Sequence, residues 1–138
     1  MKLGIVTDST CDLTAQELSQ LGVERVPLYV NFKGGMHKDW LEINPKDIIQ
    51  GVAGGAAMPS TSQPSPQDFE NAYKKVIAGG ADTILCITIS SGLSGTSQSA
   101  NVAKANVSVP VTVFDSKAAS VGLGDMVKKA ASLRDGGT

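Results

Sequence analysis

Apolar, β-branched residues gather in four short runs: Leu3 to Val6, Val26 to Phe32, Ile84 to Ile89 and Val111 to Phe114. The run Ile84-Leu85-Cys86-Ile87-Thr88-Ile89 lacks polar alternation, so it predicts a strand buried on both faces. Leu3 to Val6 predicts a buried first strand and Val111 to Phe114 a last one. Within Val26 to Phe32, Pro27 predicts a strand start or an edge, because proline donates nothing to a ladder. Helix signals fill the gaps. Thr14-Ala15-Gln16-Glu17 fits a capping box, and its helix should run to Leu21 and stop at Gly22. Asn44-Pro45-Lys46-Asp47 and Ser65-Pro66-Gln67-Asp68 each join a capping side chain to a proline and a first-turn acid. The former predicts a helix holding Ile48, Ile49 and Val52, the latter one that ends near Ala78. Two more helices are predicted, through Ser97 to Lys104 and from about Lys117 to Leu133. Lys33-Gly34-Gly35 reads as a turn, and Met36 to Trp40 as a short hairpin arm. Strands alternating with helices over short links predict an α/β fold: a mostly parallel sheet flanked by helices on both faces.

Composition narrows the class. At 138 residues the chain has the usual size of one domain, residues 1–138. A net charge of −1 offers no basic field for nucleic acid, and 4% aromatics make base-stacking platforms scarce. The N-terminus turns polar too soon for a signal peptide, and no run approaches the length of a membrane span. Cys11 in a turn and Cys86 in a buried strand predict free thiols and a cytoplasmic protein.

Ligands of parallel α/β sheets bind beyond the carboxyl ends of the strands. Three predicted strand ends carry short polar clusters: Thr7-Asp8-Ser9-Thr10, Ser90-Ser91-Gly92-Leu93-Ser94-Gly95-Thr96 and Asp115-Ser116. The loop Ser60-Thr61-Ser62-Gln63 is a fourth that can reach the same rim. A buried strand feeding a hydroxyl-rich turn and then a helix N-terminus makes an anion site, since unpaired amides and the macrodipole both favour negative charge there. The sole histidine, His37, is far in sequence from every serine cluster, so Ser94 has no evident base. No cation lies between Val52 and Tyr73 or between Asp82 and Ala103, which disfavours a triphosphate. Asp8, Asp12 and Asp115 are acceptors for loop hydrogen bonds before they are magnesium ligands, and a zinc site has too few donors. No cofactor or metal is expected. A lightly charged anion such as a carboxylate fits best.

At these residues the sequence resembles the bacterial DegV family. The matching pieces are Thr7 to Leu13, Thr61 to Pro66, Ile89 to Ala100, and Asp115-Ser116 followed by Ser120-Val121-Gly122-Leu123-Gly124. Four such pieces in this order and spacing are specific. The resemblance implies a fatty-acid-binding protein without catalytic activity, similar to the carrier subunit that presents an acyl chain to a separate fatty acid kinase. It also implies that the carboxylate meets hydroxyls of two loops, which here gives Thr61 or Ser62, and Ser94. Ser91, Gly95 and Thr96 of the same turn complete the candidate set, with Gly95 placed where a Cβ would intrude on a ligand. Members of the family are about twice this length, so the chain reads as the first domain of such a protein, without its second, lid-like domain.

Two other functions use the same residues: a hydrolase with Ser94 or Ser91 as nucleophile, and a phosphate or sugar-phosphate sensor at the same helix N-terminus. Energetics favour the lipid where the tail is enclosed. Each buried methylene is worth up to ~0.8 kcal/mol, and each charge-assisted hydrogen bond to the head about 1.5–3 kcal/mol.

Overall fold

A computed structural model describes residues 3–11, 13–32, 35–38, 50–55, 60–89, 95–117 and 121–135. Strand β1 (Leu3–Asp8) passes through a 3-10 turn (Ser9–Cys11) to helix α1 (Ala15–Leu21) and then β2 (Val23–Val26). A hairpin of β3 (Tyr29–Phe32) and β4 (Gly35–Lys38) follows. After β5 (Ser60–Ser62) come α2 (Pro66–Ala78), β6 (Thr83–Thr88), α3 (Thr96–Lys104), β7 (Val111–Asp115) and α4 (Val121–Asp135).

The main sheet has four strands in the order β2-β1-β6-β7, parallel throughout. The chain winds to one side from β1 to β2 and to the other from β6 to β7. The topological switch point therefore falls between β1 and β6, where Thr7 pairs with Ile87. Alternation along β6 divides the core. Ile87 and Ile89 join Ile5, Leu18, Val23, Leu123 and Val127 beneath α1 and α4. Ile84 and Cys86 join Val6, Val26, Phe69, Tyr73 and Ala100 beneath α2 and α3. The expected layering, helices on both faces of a parallel sheet, is what the chain forms.

Local signals hold where they are strongest. The Thr14 hydroxyl accepts from Glu17 N–H at 3.1 Å and the Glu17 carboxylate from Thr14 N–H at 3.2 Å, while Gly22 ends α1 at φ +68°. Ser65 and Asp68 build the same reciprocal box at α2, with bonds of 3.1 and 3.0 Å. Both cysteines are buried, and they are not joined in a disulfide.

Three boundaries differ from the sequence reading. Val26 to Phe32 is not one strand: β2 ends at Val26 and β3 begins at Tyr29 in a second, antiparallel sheet of order β4-β3-β5. Pro27 lacks the N–H a ladder needs, and Leu28 N–H goes instead to Ser9 Oγ at 3.0 Å. The stretch expected to be a loop around Thr61 contains β5, paired with β3 in the register Val30–Thr61. The last helix is described over Val121–Asp135, and Lys117, expected near its start, is not helical: it sits at φ 55° and donates its N–H to Asp115 Oδ1 at 2.9 Å. Residues 50–53 are helical, but the Asn44 to Asp47 helix start lies outside the described residues.

Candidate ligand site

The end of β1 is polar and wholly internal. Thr7, Asp8 and Ser9 are all 0% exposed. The Thr7 hydroxyl donates to the Ile87 carbonyl at 2.9 Å, Asp8 Oδ2 accepts from Ile89 N–H at 2.7 Å, and Ser9 Oγ accepts from Leu28 N–H. This cluster, expected to stand on a ligand-binding rim, instead ties β6 and the β2–β3 crossing to β1. Asp8 and Asp115 both act as acceptors for loop amides, and no cluster of metal-ligating side chains is found among the described residues.

The β6–α3 junction is built differently. Its N-cap is Gly95, with no side-chain hydrogen bond to the first turn. α1 and α2 satisfy such donors with capping boxes, whereas the N-cap of α3 has no side chain with which to do so. Thr96 and Ser99 of α3 are buried, at 0% and 4% exposure. Gln63, just past β5, donates from Nε2 to Ser99 Oγ at 3.4 Å. A Cβ on Gly95 would overlap the Gln63 carboxamide. The Gln63 carboxamide thus lies in the space that a Cβ on Gly95 would need.

Sheet geometry explains why these segments meet. β5 pairs with β3, and the Tyr29 hydroxyl of β3 donates to Asp68 Oδ2 at 3.0 Å, in the capping box of α2. The small sheet is thereby seated over the start of α2, which packs against α3. Ser62 and Gln63 consequently arrive beside Gly95 and Ser99. Of the candidate residues, Ser62, Gly95 and Thr96 are described, and Thr61 is placed by its backbone in β5. Ser91 and Ser94 lie outside the described residues. Gln63 and Ser99 are the additions: both belong to the polar stretches quoted above, but nothing local marks them as partners.

Below this junction Tyr73 and Cys86 are fully buried. The Tyr73 hydroxyl donates to the Ala100 carbonyl at 3.0 Å. Burial pushes the Cys86 thiol up to about 12, against a lowering hydrogen bond from Tyr73 and with help from the nearby charge of Asp8. Burial likewise pushes Tyr73 well above the ordinary phenol range. The Thr88 hydroxyl is fully buried with no hydrogen-bond partner among the described residues.

A family model described as "Uncharacterised protein, DegV family" matches residues 2–138. The chain belongs to the DegV family. A DegV domain-containing protein of Deinococcus radiodurans is 45% identical over 133 residues, which is 96% of this chain and 47% of that protein. A solved structure described as fatty acid binding of a DegV family protein from Thermus thermophilus superposes with a TM-score of 0.91 at 48% identity, covering 100% of this chain and 49% of that one. The structure of DegV from Bacillus subtilis, described as a fatty acid binding protein, has a TM-score of 0.91 at 29% identity, covering 99% and 49%. The chain therefore spans about half the length of the relatives it matches. No described helix is long and apolar enough to cross a membrane.

Proposed function

We propose that the chain binds a long-chain fatty acid such as palmitate and acts as a cytoplasmic carrier that presents it to a partner kinase or to lipid metabolism, without catalysis of its own. The carboxylate is held by hydroxyls of Thr61 or Ser62 and of Ser91, Ser94 and Thr96, and by backbone amides from Gly95 onward. The observation that supports this reading is the start of α3, where the N-cap is Gly95, without a capping side chain, and Gln63 is drawn against it. Amides and hydroxyls there suit a singly charged carboxylate, and two DegV relatives of closely similar fold are described as fatty acid binding.

The test is mass spectrometry of lipid extracted from the purified chain, followed by palmitate binding to wild type, Thr61→Val and Ser94→Ala. Each hydroxyl removed leaves the head group partly unsatisfied and should cost about 1–3 kcal/mol, or roughly tenfold or more in affinity. A fatty alcohol of equal length should bind more weakly and respond less to the substitutions. Wild-type affinity in both variants would place the carboxylate elsewhere.

A further inference from the structure

Gln63 lies across the start of α3 on a single bond. Its Nε2 donates to Ser99 Oγ at 3.4 Å, beyond the usual hydrogen-bond length, and this is its one hydrogen bond among the described residues. Its Oε1 stands where a Cβ on Gly95 would be, so the carboxamide is packed on the N-cap of the helix. The two partners differ in freedom. Ser99 is buried within α3, whereas Gln63 is exposed and follows β5, the last strand of the small sheet. A second polar group lies below. Thr88 closes β6 and shares its face with Ile84 and Cys86, the face that α2 and α3 cover. The Tyr73 hydroxyl, bonded to Cys86 and to the Ala100 carbonyl, brings Cys86 level with Ala100. From Cys86 up the strand to Thr88, and from Ala100 back up the helix to Thr96, are both steps of about 6–7 Å. Thr88 is therefore beneath the first turn of α3, where its hydroxyl is fully buried and has no hydrogen-bond partner among the described residues.

We propose that the Gln63 carboxamide is a displaceable stand-in for the ligand head group: it covers the start of α3 in the unliganded protein, and a carboxylate takes its place while the side chain swings out. A carboxamide has the planar shape of a carboxylate without its charge. The first-turn amides and the helix dipole favour the charged group, which gives the exchange its direction. Its cost is one long hydrogen bond from an exposed side chain. The identity of the ligand rests on the fatty acid reading, but the covering of the helix start by residue 63 does not.

The experiment compares the chain with Gln63→Ala and Gln63→Glu by amide-resolved NMR, thermal denaturation and palmitate titration. Gln63→Ala uncovers the helix start, so the Thr96 and Ser97 amide signals should shift without ligand. Palmitate should then bind about threefold more tightly or better, because apparent affinity falls with the fraction of protein that is closed. Gln63→Glu tethers a carboxylate at the same place; it should raise the melting temperature and weaken palmitate about tenfold or more. In wild type, the Gln63 side-chain amide signals should move with the Thr96 amide as palmitate is added. Opposite changes of affinity in the two variants support the proposal. Loss of affinity in Gln63→Ala would make Gln63 a direct donor to the head group and overturns it, as do Thr96 and Ser97 signals unmoved in both variants. If wild type binds no palmitate, the fatty acid reading fails, and sodium acetate titrated against the Thr96 and Ser97 amides decides the exchange. Larger acetate shifts in Gln63→Ala than in wild type support it, and equal or absent shifts overturn it.

Discussion

Helices α2 and α3 each begin a few residues past a strand, from segments rich in serine, and they begin in opposite ways. At α2, Ser65 and Asp68 satisfy each other's backbone donors, and the Tyr29 hydroxyl binds the same Asp68 oxygen. At α3, Gly95 offers no side chain, and the Gln63 carboxamide lies beside it from another element. The first start is closed upon itself and stabilises the fold. The second has a neighbour from another element, Gln63, in place of a cap of its own. A parallel contrast holds between strand ends: the polar cluster after β1 is consumed by internal bonds, whereas the residues after β6 lead into the uncapped helix. Hydroxyl content alone does not make a site. What separates the two is whether the N-cap residue itself has a side chain that serves the first turn of its helix.

Substitutions at the two starts should separate stability from binding. The largest effect is expected from Gly95→Asp, which puts a carboxylate where the fatty acid head group would sit. The Gln63 side chain is exposed and flexible enough to move aside, so the fold should survive. Repulsion between like charges in a partly buried site should then weaken palmitate binding by about 2 kcal/mol or more, with little change in melting temperature. Binding as tight as in wild type would show that α3 does not face the ligand.

Gly124→Ala tests the β1 side. There a Cβ would come within 2.7 Å of the Cys11 carbonyl oxygen, and backbone cannot swing away as Gln63 can. Overpacking should cost about 1–3 kcal/mol, measured by chemical denaturation. A neutral outcome would mean that the 3-10 turn after β1 is looser than its burial suggests.

Ser65→Ala removes the cap of α2 and should lower stability by about 1 kcal/mol, with palmitate affinity unchanged. A matching loss of affinity would break the contrast between the two helix starts.

The smallest effect concerns the buried layer below both turns. The folded state holds the Cys86 thiol near 12, against an ordinary 9.0. Because the folded value is the higher one, this stability is fully present below the unfolded value and is lost as pH rises from 9.0 towards 12. Raising the pH from about 8 to about 10 should remove about 1 kcal/mol of unfolding free energy through this group. Cys86→Ala should flatten that part of the profile; an equally steep fall in the variant would assign it to groups other than this thiol.

The sequence by itself determined whatever is settled within a turn or two of chain. Both capping boxes, the Gly22 stop, the buried character of β6 and the alternation that yields a parallel α/β sheet follow from residues at most a few positions apart. Even the mistaken union of β2 with β3 had its signal in Pro27. Only the tertiary structure decided which polar residues would be spent on one another. Asp8 and Ile89 are 81 positions apart, and Gln63 and Ser99 are 36 apart. Serine, threonine and aspartate carry the same donors and acceptors whether they brace a strand or await a ligand. Their partners are chosen by strand order and by the docking of the small sheet over α2, and neither leaves a mark in the spacing of the residues themselves.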